Sequence, residues 1–151
     1  MKRNGTNSCK ISFPAKSENE AFARMTAAAF VLPGNPTLEE VSDIKTAISE
    51  AVTNAILHGY NHDGKGIVHM CFEREDNVFT FIISDAGTGI ENVEQAMEPL
   101  YTTRPELERS GMGFSFMEAF MDSLTVESWP GKGTTIKMVK SLGVNLSDID
   151  E

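Results

Sequence analysis

The chain has 151 residues, 40% of them hydrophobic and 23% charged, with a formal net charge of −9. That length suits one domain with a core large enough to need no staples, and the composition excludes a disordered chain. The acidity excludes a direct nucleic-acid partner, which requires a basic face, but not a small anionic ligand held by local amides.

No repeat, low-complexity tract or linker divides the chain, so residues 1–151 read as a single domain. Polar and apolar residues alternate over 8–13, the pattern of a first strand. Ser17-Glu18-Asn19-Glu20 has the form of a capping box. Behind it Phe22, Met25, Ala29 and Leu32 make a helical stripe expected to face the core, and Pro33-Gly34 ends it. Arg24 falls off that stripe and is expected on the surface.

A second box, Thr37-Leu-Glu-Glu40, opens a longer helix that should stop at Gly59. Its apolar positions Leu38, Val41, Ile44, Ile48, Val52 and Ala55 recur every three or four residues. Glu50 and Asn54 share the opposite face. Val68, Met70 and Phe72 alternate on a second strand, Asp76-Asn77 turns, and 78–84 returns. The unbroken Phe81-Ile82-Ile83 marks that third strand as central. Residues 86–112 show no period and read as a functional lid, about 88–112. A helix at 113–121, a strand at 124–129, a Pro130-Gly131 turn and a strand at 134–139 follow, before an acidic tail from 143 that should fray. Antiparallel strands on one layer and helices on the other predict an α+β two-layer sandwich.

Cys9 and Cys71 have no metal spacing and read as reduced thiols. The first residues lack a signal-peptide pattern, and the longest apolar stretch, 27–32, is too short to cross a bilayer. A cytoplasmic chain that touches no membrane is expected.

Four patches carry chemistry. Glu50 and Asn54 supply a possible general base and a magnesium-binding amide, although an isolated Glu-x-x-x-Asn is usually solvated helix surface. Asp85 ends a buried strand beside Gly87 and Gly89, where a carboxylate could accept from an exocyclic amine; alone, the segment is a turn. Gly111 and Gly113 precede a helix whose free N–H groups favour anions, but they match neither the Walker nor the Rossmann spacing. Gly131-Lys-Gly133-Thr134-Thr135 is the fourth. His58, His62 and His69 do not pair on a helix as a zinc site would require, no G-x-S-x-G surrounds Ser49 or Ser110, and Trp129 reads as core or interface.

In this order, the four patches resemble the boxes of the Bergerat-fold (GHKL) ATPases. The longer stretches from Ser49 to Tyr60 and from Pro99 to Phe114 resemble the sporulation anti-sigma-F factors, and that resemblance covers most of the chain. It implies a mixed, mostly antiparallel sheet with helices on one face and a mobile ATP lid. It also implies a homodimeric protein-serine kinase that uses ATP and magnesium, binds a sigma factor, and phosphorylates a small anti-anti-sigma (STAS-type) protein. On matching positions, Glu50 would be the base, Asn54 would hold magnesium, and Asp85 with Thr134 would bind adenine. Gly87, Gly89, Gly111 and Gly113 would shape the pocket, Arg109 would reach the γ-phosphate, and Arg24 would contact the sigma factor. Two other readings stay open: a stress-response anti-sigma kinase of the same family, and a non-catalytic module that uses ATP only to display a sigma-binding surface.

Overall fold

The computed structural model describes residues 5–60, 64–98 and 113–143. Five strands form one sheet: β1 (Thr6–Pro14), β2 (Ile67–Glu75), β3 (Val78–Asp85), β4 (Ser123–Trp129) and β5 (Gly133–Ser141), in the order β1-β2-β3-β5-β4. All four pairings are antiparallel. Asp76 turns the β2–β3 hairpin with φ 56°, a left-handed conformation that a short polar side chain tolerates. The central place expected for 81–83 is observed, since β3 lies between β2 and β5.

Helices α1 (Asn19–Val31), α2 (Leu38–Asn54) and α4 (Gly113–Phe120) form the second layer, with α2 packed against both α1 and α4. The core between the layers joins Ile44, Ile48 and Val52 of α2 to Phe72, Phe79 and Phe81 of the sheet, all fully buried. Phe30 of α1 lies edge-on to Phe79 and tilted against Phe72. At α2 the second capping box forms in both directions: the Thr37 side chain accepts from the Glu40 amide, and the Glu40 carboxylate accepts from the Thr37 amide.

Three sequence expectations are corrected here. In α1, Ala23, Ala27 and Val31 face the core, whereas Phe22, Met25 and Leu32 are 54%, 56% and 60% exposed. Small residues let α1 lie close to its neighbours, so the alanine stripe packs inward although the larger side chains have the stronger hydrophobic signal. At the start of α2, Leu38 is 90% exposed, because it precedes the first turn that reaches the core. Trp129, read as core or interface, is exposed at the end of edge strand β4, which excludes only the first of those two readings. In the segment read without elements, a short helix, α3 (Val93–Ala96), is capped by the Asn92 side chain.

Candidate functional site

The last turn of α2 presents Glu50 and Asn54 toward the first residue of α4. A Cβ at Gly113 would stand 3.3 Å from Glu50 Oε1 and 3.6 Å from Asn54 Oδ1, so the glycine keeps a cleft open beside both side chains. Asn54 Nδ2 is the one buried side-chain donor without a hydrogen-bond partner among the described residues. An unpaired buried amide N–H costs about 1–3 kcal/mol, which a bound acceptor removes. The group that fits is an oxygen-rich anion against Nδ2, with the amide oxygen free to ligate a hard cation.

Immediately after Asn54 the helix widens into a π-helical turn, Ala55–Gly59, a device often found at functional sites. That turn carries Gly59 onto Asp85, so close that a Cβ there would lie 2.8 Å from the Asp85 carboxyl carbon. Three bonds hold the two segments together. The Thr88 amide donates to the Gly59 carbonyl at 2.8 Å, and the Thr88 hydroxyl donates to the His58 carbonyl at 3.0 Å. Tyr60 Oη accepts from the Ala86 amide at 2.7 Å and donates to the Ile67 carbonyl at 2.8 Å. Gly87 allows this contact: a Cβ on it would come within 1.9 Å of the Gly59 carbonyl oxygen.

Asp85 stands opposite Thr134 in the β3–β5 register, and Thr134 stands opposite Ser128 in the β4–β5 register. The three side chains therefore form one cross-strand row on the helix-covered face of the sheet. The Asp85 carboxylate accepts from the Gly87 amide at 2.9 Å and from the backbone of Thr134. Burial raises the pKa of Asp85 above its ordinary value, and the two backbone bonds oppose that rise without cancelling it. Thr134 itself is buried. The turn before it depends on Gly133, which has φ 101° and leaves only 2.0 Å between a built Cβ and the Asp85 carbonyl oxygen. Gly89 packs against the Trp129 carbonyl, and the Gly131 amide donates to the Thr88 carbonyl at 2.6 Å.

Sequence-nominated residues thus fall into two clusters. Glu50, Asn54 and Gly113 make the first; Asp85, Gly87, Gly89 and Thr134 make the second, and one π-turn joins them. Arg109 and Gly111 lie outside the described residues. Arg24 is half-buried rather than exposed, paired with Glu20 at 2.6 Å across one helical turn. It lines a groove of about 580 Å³ between α1 and α2 that runs past Lys45 and Ser49 to Glu50. Lys45, Ser49, Tyr60 and Ser128 were not nominated as site residues from the sequence. The first two repeat at helical spacing with Ser42 and Thr46 and could have been found as a polar stripe; Tyr60 and Ser128 acquire their roles only through contacts distant in sequence.

A family model described as the histidine kinase-like ATPase domain matches residues 13–140. Among curated proteins, the anti-sigma F factor of Clostridium acetobutylicum is 57% identical over 138 residues, covering 91% of this chain and 96% of that protein. The anti-sigma F factor of Geobacillus thermodenitrificans is 53% identical over 136 residues, covering 90% of this chain and 93% of that one. Among solved structures, one of the RsbU and RsbW domains of Rv1364c from Mycobacterium tuberculosis superposes with a TM-score of 0.63 at 20% identity. It covers 91% of this chain and 33% of that longer one, a likeness of fold alone.

Proposed function

The chain belongs to the histidine kinase-like ATPase family and, within it, to the anti-sigma F factors, and on that premise we propose that it inhibits a sigma factor and is a protein-serine kinase. Its substrate would be a small anti-anti-sigma protein, and its working form a homodimer in the cytoplasm. The observation that carries the kinase reading is the orphaned Asn54 amide beside Glu50, one π-turn from the half-buried Asp85 carboxylate. No helix among the described residues is long and apolar enough to cross a membrane.

MgATP, when bound, supplies the phosphoryl group to be transferred and a cation that neutralises charge on it. Asn54 would give its amide oxygen to the magnesium ion and its N–H to a phosphate oxygen. Asp85 would accept from the C6 amine of adenine, with Thr134 beside it. Gly87 and Gly89 let the backbone around that pocket close onto Gly59 and Trp129, and Gly113 leaves room beside Glu50. Glu50 would accept the proton of the attacking serine hydroxyl as its oxygen bonds to the γ-phosphorus and the bond to the β–γ bridging oxygen breaks. Arg109 would stabilise charge on the transferring group, with Gly111 shaping the phosphate end. The groove from Arg24 to Glu50 supports a docked polypeptide, since it leads from a half-buried guanidinium to the proposed base.

The test is the intact mass of the cognate anti-anti-sigma protein after incubation with the chain and MgATP. A gain of one phosphate is expected, and none with Glu50→Gln, which keeps nucleotide binding. An equal gain with Glu50→Gln would remove Glu50 as the base. No gain from a chain that binds ATP would replace the kinase with an ATP-gated sigma-binding module.

A further inference from the structure

Ser128 faces Thr134 directly across the β4–β5 pairing, and its hydroxyl meets three groups. The Ile90 amide donates to Ser128 Oγ at 2.7 Å. Ser128 Oγ donates to the Gly133 carbonyl at 3.0 Å. Thr134 Oγ1 lies 2.8 Å from the same oxygen. A serine hydroxyl has one proton and two lone pairs. An amide N–H can only give and a carbonyl oxygen can only accept, so these two neighbours occupy one lone pair and the proton. The second lone pair remains for Thr134, and the proton in that bond is therefore Thr134's own. The threonine hydroxyl turns its hydrogen toward β4 and has only lone pairs to offer on the side of Asp85.

We propose that Ser128 is a positioning residue that sets base specificity: by taking up the Thr134 proton it makes the Asp85–Thr134 row acceptor-only. Such a row selects a purine with an amino group at C6 over one with a carbonyl there. The inference rests on the reading of the Asp85 pocket as the base site. Adenine brings two amine hydrogens to two acceptors. Hypoxanthine brings a carbonyl oxygen, whose lone pairs would face those of Thr134, and a site built to pair one group penalises the analogue that cannot pair. Without Ser128 the Thr134 hydroxyl is free to rotate and donate to that carbonyl.

Calorimetry of MgATP and magnesium inosine triphosphate on the full chain, Ser128→Ala and Thr134→Val tests this. The unmodified chain prefers ATP, and Ser128→Ala lowers the ratio of the inosine to the adenosine Kd by about tenfold. A variant that merely loosens the fold weakens both nucleotides alike, and an unchanged ratio overturns the proposal. Thr134→Val removes the same hydroxyl while sparing the bonds of Ser128 to Ile90 and Gly133, which covers the case in which Ser128→Ala does not fold. Its ratio falls as well, and a folded Thr134→Val with the full ratio also overturns the proposal. Equal affinities in the unmodified chain would defeat the adenine reading itself and this proposal with it. A preference that Asp85→Asn abolishes and Ser128→Ala preserves leaves that reading standing and defeats only the role of Ser128.

Discussion

Asp85 is pulled two ways, by burial that raises its pKa and by the backbone N–H groups of Gly87 and Thr134 that lower it, and burial prevails. The folded chain therefore holds this proton more tightly than the unfolded chain does. Stability attributable to Asp85 is lost as pH rises from the ordinary value of 3.8 through the raised folded value, and is constant above it. Urea unfolding across that interval should show the stability of the unmodified chain falling relative to Asp85→Asn, then running parallel to it. ATP affinity follows the opposite sign. The ionised carboxylate is the proposed acceptor, so binding weakens as pH drops into the same interval. At neutral pH, Asp85→Asn should weaken MgATP by about 10- to 100-fold, because an amide N–H then confronts the C6 amine. Calorimetry giving an unchanged affinity would remove Asp85 from base recognition. The four-residue spacing of Glu50 and Asn54 was legible in the sequence because a helix imposes it. That Asn54 Nδ2 is buried and unpaired depends on how α4 packs, and no local pattern shows it.

At the scale of elements, α2 is the piece whose sequence and structure agree most fully. Its capping box forms as Thr37 and Glu40 predict, and Ile44, Ile48 and Val52 face the core. Thr37→Ala should cost about 1 kcal/mol, which for a chain of this size lowers Tm by about 2–4 °C. Scanning calorimetry would record that drop, and nucleotide affinity should not move, since the cap lies at the far end of the helix from Asn54. The π-turn at 55–59 was not legible. Ala-Ile-Leu-His-Gly fits an ordinary last turn, and the wider one is fixed from outside by the bonds of Thr88 to His58 and Gly59. Tyr60 adds a second strut from this turn to Ala86. The first helix misled the reading for a related reason: it has two apolar stripes, and periodicity favours the one with larger side chains.

Across the whole molecule, close contact between layers decides which residues can be changed. Ala23 and Ala27 of α1, with Ala47 and Ala51 of α2, are fully buried in the core, and α1 packs against α2. Ala27→Leu should cost about 1–3 kcal/mol by overpacking, whereas Met25→Lys, at a position 56% exposed, should change the stability of one copy by less than about 0.5 kcal/mol. Chemical denaturation of the two variants checks the assignment of faces, and the reverse order would overturn it. The sequence by itself determined the order of the strands and of the three longer helices, the central third strand, the cap of α2 and the residue types of the candidate site, because strand alternation, helical spacing and glycine turns are local properties. The tertiary structure decided which face of α1 is buried, how the π-turn brings the Asn54 end of α2 onto Asp85, and why Ser128 stands beside Thr134. Each of these depends on segments distant in the chain meeting at van der Waals or hydrogen-bond distance, and only the packed layers fix those distances.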